Sequence, residues 1–330
     1  MSGFHRRVRS TTMFYGAVGA TFLSMSAYAG DISPYATKGI NDYYGPAVDG
    51  VNSKVEPFGG RLANRTIAGS QGALSVPLSG PFGIQIDGAV GRFDQRGFAN
   101  IAGHFFWRNP GQGLLGIYSS YTFWDQFGGA NVGQLAVEGE YYSGRWTLQG
   151  IAGVESGNAA SNTFTNTTIV PPGGGPVFPA GVITTTSFTS IYDVRTRFFD
   201  QINVKYYLTD DWVAYAGHRY LGGKNALALG SEFAFPFAHR FKASAFVEAR
   251  VGEGEFRGVW GGLKFYFGAK DKPLIARHRQ DDPNIWSADT LFSIVNSLRN
   301  SSSSSSTLFC TPPKSLQSDG TCEAPFSILD

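Results

Sequence analysis

Charged side chains are scarce in this chain of 330 residues. Lysine, arginine, aspartate and glutamate together make up 16% of it, against about 25% in an average soluble domain. The 27 basic and 25 acidic residues nearly balance, and no basic block indicates a nucleic-acid partner. Beyond the N-terminus no apolar stretch is long enough for a membrane-spanning helix. If the protein crosses a membrane, it must therefore do so as a closed barrel.

The sequence also lacks the patterns that indicate catalysis. A barrel hydrolase would need a histidine followed two residues later by a serine, with a polar partner that orients it. His104, His218 and His239 each have an aromatic residue at that position. No glycine-rich phosphate-binding motif opens a helix, and metal-binding clusters are missing. We therefore expect no enzyme activity, no cofactor and no metal site.

Only two cysteines are present, and both lie near the C-terminus. Eleven residues separate Cys310 from Cys322. In an exported protein such a pair forms a disulfide, whereas a metal site would need more ligands. We predict a small disulfide-closed loop.

The first 29 residues have the three parts of an export signal. Arg6, Arg7 and Arg9 form a basic segment, and residues 13–25 are apolar but too short to span a membrane. Residues 27–29 read Ala-Tyr-Ala, a cleavage site of the A-x-A type. The residues after Arg7 fit the twin-arginine consensus poorly, so we predict Sec export with cleavage after Ala29. The cleaved chain would carry 24 basic and 25 acidic residues.

Glycine and aromatic residues are abundant instead. Glycine accounts for 43 residues and aromatics for 15% of the chain, and membrane barrels need small residues, aromatic girdles and few charges towards lipid. From residue 54 onward the sequence divides into segments with the period-two alternation of strands. Twelve strands are predicted, at 54–62, 69–78, 82–91, 98–108, 114–123, 132–142, 145–155, within 188–208, and at 212–221, 225–235, 241–251 and 256–267.

The links between these strands alternate between tight turns and longer connections, of which residues 156–187 are the longest. Outer-membrane barrels have short periplasmic turns and longer outer loops. An even number of strands would return both chain ends to the periplasm. We predict an all-β fold, a transmembrane antiparallel β-barrel of about 12 strands with a short periplasmic C-terminal extension. Its parts would be a signal peptide at 1–29, a periplasmic lead-in at 30–53, the barrel at 54–267 and the tail at 268–330.

The alternation assigns polar side chains to the inside of the barrel, except in residues 212–220, where either face could be the apolar one. Rings of one charge would indicate ion selectivity, whereas these charges nearly balance. They fit either a wet, weakly selective pore or a salt-bridged plug, and the sequence leaves both open. The residues expected to line the lumen are Asp87, His104, Arg108, Glu138, Glu140, Arg145, Lys205, Arg219, Glu232, Lys242, Glu248, Arg250 and Lys264.

The last predicted strand carries a family resemblance. Gly262, Phe265 and Phe267 resemble the closing-strand signal of bacterial outer-membrane β-barrels of the porin-like superfamily. In most of that family the terminal Phe ends the chain, whereas 63 residues follow Phe267 here. Residues 140–148 and 270–275 are also similar to uncharacterised exported proteins of alphaproteobacteria. The resemblance implies a location in the bacterial outer membrane, with its lipid and the barrel-assembly machinery as partners.

The long connection at 156–187 is rich in Asn, Thr, Gly and Pro. This composition predicts a solvated surface loop. A constriction loop folded into the lumen is the other interpretation. The acidic cluster of a cation-selecting constriction is missing, which favours the surface loop.

The tail has its own pattern. Leu291, Ile294, Val295 and Leu298 share one helical face, which predicts a helix over residues 289–299. The six serines at 301–306 predict a flexible linker. We expect a tail that binds a periplasmic partner, plugs the barrel or is a partly disordered appendage.

Two functions fit these expectations. The first hypothesis is a narrow, weakly selective passive pore for small hydrophilic solutes. The alternative is a non-conducting barrel that acts as a structural scaffold or surface-binding protein through its outer loop and tail. The solute, the oligomeric state and the role of the tail do not follow from the sequence.

Overall fold

The computed structural model describes residues 46–173, 177–238, 241–268 and 272–323. The predicted signal peptide and most of the lead-in lie outside these residues. A closed antiparallel barrel of twelve strands forms the body of the protein, which confirms the predicted fold class. Its strands are β1 (Asn52–Leu62), β2 (Arg65–Pro77), β3 (Phe82–Phe93), β4 (Arg96–Asn109), β5 (Gly113–Trp124), β6 (Ala130–Ser143), β7 (Trp146–Gly157), β11 (Arg197–Thr209), β12 (Trp212–Leu221), β13 (Lys224–Ala238), β14 (Phe241–Gly252) and β15 (Arg257–Phe267).

The barrel closes where β15 pairs with β1. Phe267 is paired with Ser53 and Gly262 with Phe58 in this seam. A Cβ atom on Gly262 would lie 2.0 Å from the carbonyl oxygen of Pro57, far inside van der Waals contact. Glycine is therefore required for the strands to approach each other at this position.

Side chains alternate across the barrel wall. In β3, Ile86 is 48% exposed on the outside, whereas the neighbouring Asp87 is fully buried inside. The strand that the sequence left ambiguous, β12, turns Arg219 inward and His218 outward. The outer surface is consequently apolar over most of the wall. Among the described residues, the apolar side chains that are 60–65% exposed include Ile101, Leu115, Val137, Tyr141 and Val251.

The two ends of the barrel differ. We call the end that carries the chain termini of the barrel the turn end, and the opposite one the loop end. Some connections at the loop end are shorter than predicted. Residues 63–64 and 94–95 are two-residue turns in which all four residues have positive φ, between 50° and 63°. The segment between β7 and β11 is the long exception.

That segment forms a second sheet outside the barrel, so the segment predicted as a solvated surface loop contains strands. Strands β8 (Ala159–Val170) and β10 (Gly181–Asp193) pair with each other, and β16 (Leu298–Phe309) pairs with β10. We call these three strands the outer sheet. Its threonine-rich strands favour β-structure, and hydroxyl pairs such as Thr186 with Ser304, at 3.0 Å, join neighbouring strands. Residues 301–306, predicted to be a flexible linker, are therefore part of a strand.

A smaller three-stranded sheet lies beside the outer sheet. It consists of β9 (Val177–Pro179), β17 (Ser315–Leu316) and β18 (Thr321–Glu323). Cys310 is joined to Cys322 by a disulfide. In the turn before β18, the hydroxyl and the backbone N–H of Thr321 donate to Asp319 and lower the pKa of that carboxyl.

The tail also contains two short helices, α1 (Leu274–Gln280) and α2 (Ser287–Val295). The sequence predicted α2 but placed its end four residues too late. Asn296 and Ser297 end the helix and lead into β16, which starts at Leu298. Among the described residues, no helix is long and apolar enough to cross a membrane.

Candidate functional site

The tail runs through the barrel from the turn end to the loop end. The backbone N–H of Leu274 donates to Asp211 in a turn-end connection, at 2.9 Å. The side-chain amide of Asn296 donates to the carbonyl of Leu221 at the loop end, at 3.2 Å. The next strand, β16, is already part of the outer sheet. The prediction that the whole tail stays on the side of the barrel termini is therefore wrong.

Residues 272–297, which we call the plug, fill the lumen. Near the turn end, Leu274 is fully buried against an apolar cluster of wall residues. His278 follows, with Nδ1 3.0 Å from the hydroxyl of Tyr207 and Nε2 3.3 Å from that of Tyr266. Arg279 donates to the carbonyl oxygen of Trp146, at 2.8 Å. These contacts tie α1 to strands β7, β11 and β15.

The extended segment between the two helices is held from several sides of the barrel. Lys54 of β1 lies 3.3 Å from the carboxylate of Asp282. Gln85 of β3 donates to the carbonyl of Pro283, and Lys205 of β11 donates to Asn284, both at 3.3 Å. Because these strands are spread around the circumference, the chain here crosses the middle of the lumen.

A buried ion cluster joins α2 to the wall. The carboxylate of Asp289 accepts hydrogen bonds from Arg219 at 2.9 Å and from Arg250 at 2.8 and 2.7 Å. Both arginine side chains are 1% exposed and that of Asp289 is 5% exposed. Glu248 lies 2.9 Å from Arg250 and supplies a second carboxylate. The charges of this cluster are therefore matched, which a buried cation requires.

Another buried carboxylate binds α2 one helical turn further on, at Ser293. Glu155 of β7 is fully buried and accepts hydrogen bonds from the Ser293 hydroxyl and from the backbone N–H of Gly222, at 2.5 and 2.8 Å. On its apolar face, α2 packs Phe292 against Phe256, with ring centroids 4.3 Å apart. The plug thus meets the loop end through both polar and apolar contacts.

The wall itself contains a histidine between two carboxylates. His104 of β4 has Nε2 3.0 Å from Asp87 and Nδ1 2.9 Å from Glu138. Its ring lies edge-on to Tyr118, with centroids 4.9 Å apart. All four side chains are buried, and the cluster joins β3, β4, β5 and β6 inside the barrel.

One predicted lumen residue lies elsewhere. Arg145 is in the exposed turn before β7 and donates to Asp210 of another turn, at 2.9 Å. It lies at the rim because β7 starts only at Trp146, and the first inward side chain of this strand is that of Thr147. The other predicted lumen residues turn their side chains into the barrel: Asp87, His104, Arg108, Glu138, Glu140, Lys205, Arg219, Glu232, Lys242, Glu248, Arg250 and Lys264.

The sequence did not identify the residues of the plug that meet them. Asp282 and Asp289 were expected in a periplasmic tail, yet each lies against cations of the wall. The available signal was the near balance of the lumen charges, which left a salt-bridged plug open.

A small cavity lies beside the plug among the described residues. This cavity, of about 50 Å³, lies near the turn end, with Lys205, Glu232, Lys264 and His278 among its lining residues. One water needs roughly 10–15 Å³ of such space. The cavity can therefore hold a few water molecules but no hydrated solute.

No protein-family model and no curated protein matches the chain. Several solved structures do. An outer membrane channel from Pseudomonas putida F1 has 9% identity and a TM-score of 0.37, with 72% of this chain and 99% of that chain covered. The Pseudomonas putida toluene transporter TodX has 9% identity and a TM-score of 0.32, covering 66% and 88%. The siderophore receptor PirA from Pseudomonas aeruginosa has 10% identity and a TM-score of 0.26, covering 61% of this chain and 43% of that receptor. Sequence identities and TM-scores this low support no functional conclusion about this chain.

Proposed function

We propose that this protein is an outer-membrane β-barrel that closes its lumen with its own C-terminal segment and holds the outer sheet at the cell surface. It would act there as a scaffold or surface-binding protein. The observation that carries this proposal is the path of residues 272–309 through the barrel and into the outer sheet. We expect no enzymatic activity.

The apolar outer wall supports a location in the membrane. Exposed apolar side chains cover it, as on barrels that face lipid. Both faces of the outer sheet carry exposed hydroxyl side chains, which suit water and not lipid. Insertion would depend on the barrel-assembly machinery and on the signal formed by Gly262, Phe265 and Phe267. Because the described tail is bound within this chain, the proposal includes no periplasmic partner for it.

The filled lumen favours a scaffold over an open passive pore. The cavity beside the plug, of about 50 Å³, is too small for a hydrated solute. The plug is also held by buried ion pairs, such as Asp289 with Arg219 and Arg250. Removing one partner of such a pair costs about 3–5 kcal/mol, so the plug does not leave the lumen at negligible cost.

A gated pore is the second candidate. The observation that favours it is the polar character of the cavity, whose lining includes Lys205, Glu232 and Lys264. This cavity would become part of a wet path if the plug moved away. Transport would then depend on displacement of the plug, and not on a lumen that is always open.

Cysteine labelling on cells tests the proposal. The two native cysteines are joined to each other, so an introduced thiol can be labelled selectively. Ser303→Cys places a thiol in the exposed β16, and Ser143→Cys places one at the exposed turn end. We expect a membrane-impermeant maleimide to label Ser303→Cys on intact cells, and Ser143→Cys only after the outer membrane is permeabilised. The opposite pattern would reject surface display of the outer sheet.

A further inference from the structure

Three arginines point outward at the loop end of the barrel. They are Arg257 on β15, Arg61 on β1 and Arg92 on β3, and all three are exposed. They lie at the border of the apolar wall. Arg61 is paired across the seam with Val259, which is 50% exposed, and Arg257 is paired with Val251, which is 65% exposed. If the apolar wall faces lipid, these arginines lie at the depth of the lipid headgroups.

The turn between β1 and β2 holds two of these arginines in place. Arg61 donates from Nη2 to the backbone oxygen of Asn64, at 2.7 Å. The side-chain amide of Asn64 is oriented with its oxygen towards Arg257. This oxygen accepts hydrogen bonds from Nε at 3.1 Å and from Nη2 at 3.2 Å of Arg257. Diagonal neighbours on adjacent strands are about 7–8 Å apart. Both guanidinium groups therefore bind the same residue, Asn64, and each has further N–H donors left over.

Within the part of the chain that the structure describes, none of the three arginines has a carboxylate at ion-pair distance. Other loop-end arginines do: Arg65 lies 3.6 Å from Asp94, and Arg195 lies 2.7 Å from Asp193. Arg96 at the rim shares the lack of a counter-ion, but Arg61, Arg92 and Arg257 combine it with an outward position beside the apolar wall. Guanidinium groups bind phosphate oxygens in a bidentate manner, so a phosphate group matches the charge and the geometry.

We propose that Arg61, Arg92 and Arg257 bind the phosphate groups of a phosphorylated glycolipid, a lipopolysaccharide, in the outer leaflet. This proposal rests on the proposed outer-membrane location and on its orientation, which puts the loop end outside. A lipid fits better than free phosphate because exposed valines lie directly beside two of the arginines and would contact acyl chains. The aliphatic parts of the arginines can lie on the same apolar surface while their charged ends reach the headgroup.

The test uses the purified full chain in detergent and measures its melting temperature against added ligand. The ligands are bisphosphorylated lipid A, the same glycolipid with its phosphates removed, and inorganic phosphate. The test variant is Arg61→Gln/Arg92→Gln/Arg257→Gln. A matched control, Arg96→Gln/Arg195→Gln/Arg299→Gln, removes the same charge from three exposed arginines of the same end.

We expect bisphosphorylated lipid A to stabilise the wild type and the control alike, with about tenfold weaker apparent affinity for the test variant. The dephosphorylated glycolipid and inorganic phosphate should stabilise all three proteins much less. Equal titrations of wild type and test variant would overturn the proposal. So would equal stabilisation by the dephosphorylated glycolipid, which indicates acyl-chain binding only, or by inorganic phosphate, which indicates a site for the free ion.

Labelling of Ser303→Cys on cells reports on the proposed function separately. Surface labelling together with unchanged titration of the test variant would reject the glycolipid site alone. A titration that loses affinity as expected, together with labelling only after permeabilisation, would keep a phosphate site and reject the orientation.

Discussion

Asp289 of α2 accepts two hydrogen bonds from the guanidinium of Arg250 in β14, at 2.8 and 2.7 Å, inside the barrel. Arg219 of β12 adds a third, at 2.9 Å. A single plug carboxylate thus holds two wall cations that are each 1% exposed. Loss of this carboxylate would leave both guanidinium groups without their main counter-ion, which is costly in a buried site.

We therefore predict that Asp289→Asn loosens α2. The free energy of opening α2 should fall by about 3 kcal/mol or more, because breaking a buried ion pair costs about 3–5 kcal/mol. Hydrogen exchange of the α2 amides measures this opening. Asp319→Asn, which changes an exposed carboxyl of the tail, is the control and should leave α2 unchanged. Unaltered exchange in Asp289→Asn would mean that the ion cluster does not retain the plug.

A second prediction concerns the histidine between two carboxylates. Glu138→Gln should lower the free energy of unfolding by about 1.5–3 kcal/mol, because it weakens a buried hydrogen bond to a charged group. Glu140 is two residues away, only partly buried, and lines the cavity, so Glu140→Gln should cost less. Urea unfolding in lipid vesicles gives both values. Equally small losses would indicate that both carboxylates are solvated, as in a wet lumen.

The sequence predicts the barrel well for a physical reason. Each strand alternates because its outer face is apolar and its inner face lines a polar lumen, and this constraint is local. Ile86 and Asp87 show it within two residues. Strand ends were predicted within a few residues, except near residue 188, where the chain continues the hairpin of the outer sheet and β11 starts only at Arg197.

The plug and the outer sheet could not be predicted in the same way. Their positions depend on contacts between distant parts of the chain, such as Asp289 with Arg219 and Thr186 with Ser304. A serine tract has the composition of a linker, and only the neighbouring β10 makes it a strand. The charged residues of the lumen need either water or counter-ions around them. Because their charges nearly balance, the sequence did not show whether water or the tail surrounds them.

The seam of the barrel gives a third prediction. In Gly262→Ala the new methyl group would meet the carbonyl oxygen of Pro57 at 2.0 Å, so β15 must shift away from β1. We expect markedly less folded, heat-modifiable barrel in the outer membrane. Gly103→Ala is the matched control, since its methyl group would have no atom within 4 Å, and it should assemble normally. Normal assembly of Gly262→Ala would show that the seam can adjust.

The last prediction separates the scaffold from the gated pore. In planar bilayers the wild type should show no stable unitary currents, because the plug occupies the lumen and the cavity beside it measures about 50 Å³. The variant Thr122→Cys/Thr290→Cys replaces two hydroxyls that lie 2.6 Å apart, so oxidation would tie α2 to β5. A second pair, Thr186→Cys/Ser304→Cys, replaces hydroxyls 3.0 Å apart and would tie β16 to β10 without fixing α2 to the wall.

If the barrel is a scaffold, the wild type and both cysteine-pair variants should show no currents, whether oxidised or reduced. Two results together would contradict the scaffold and support the gated pore. The wild type would show currents, and Thr122→Cys/Thr290→Cys would show currents when reduced that stop on oxidation. In that case, the variant Thr186→Cys/Ser304→Cys shows which part of the tail moves. Currents that survive its oxidation would mean that α2 shifts within the lumen, because β16 remains held outside. Currents that stop would mean that the tail must withdraw as a whole, with β16 leaving the outer sheet.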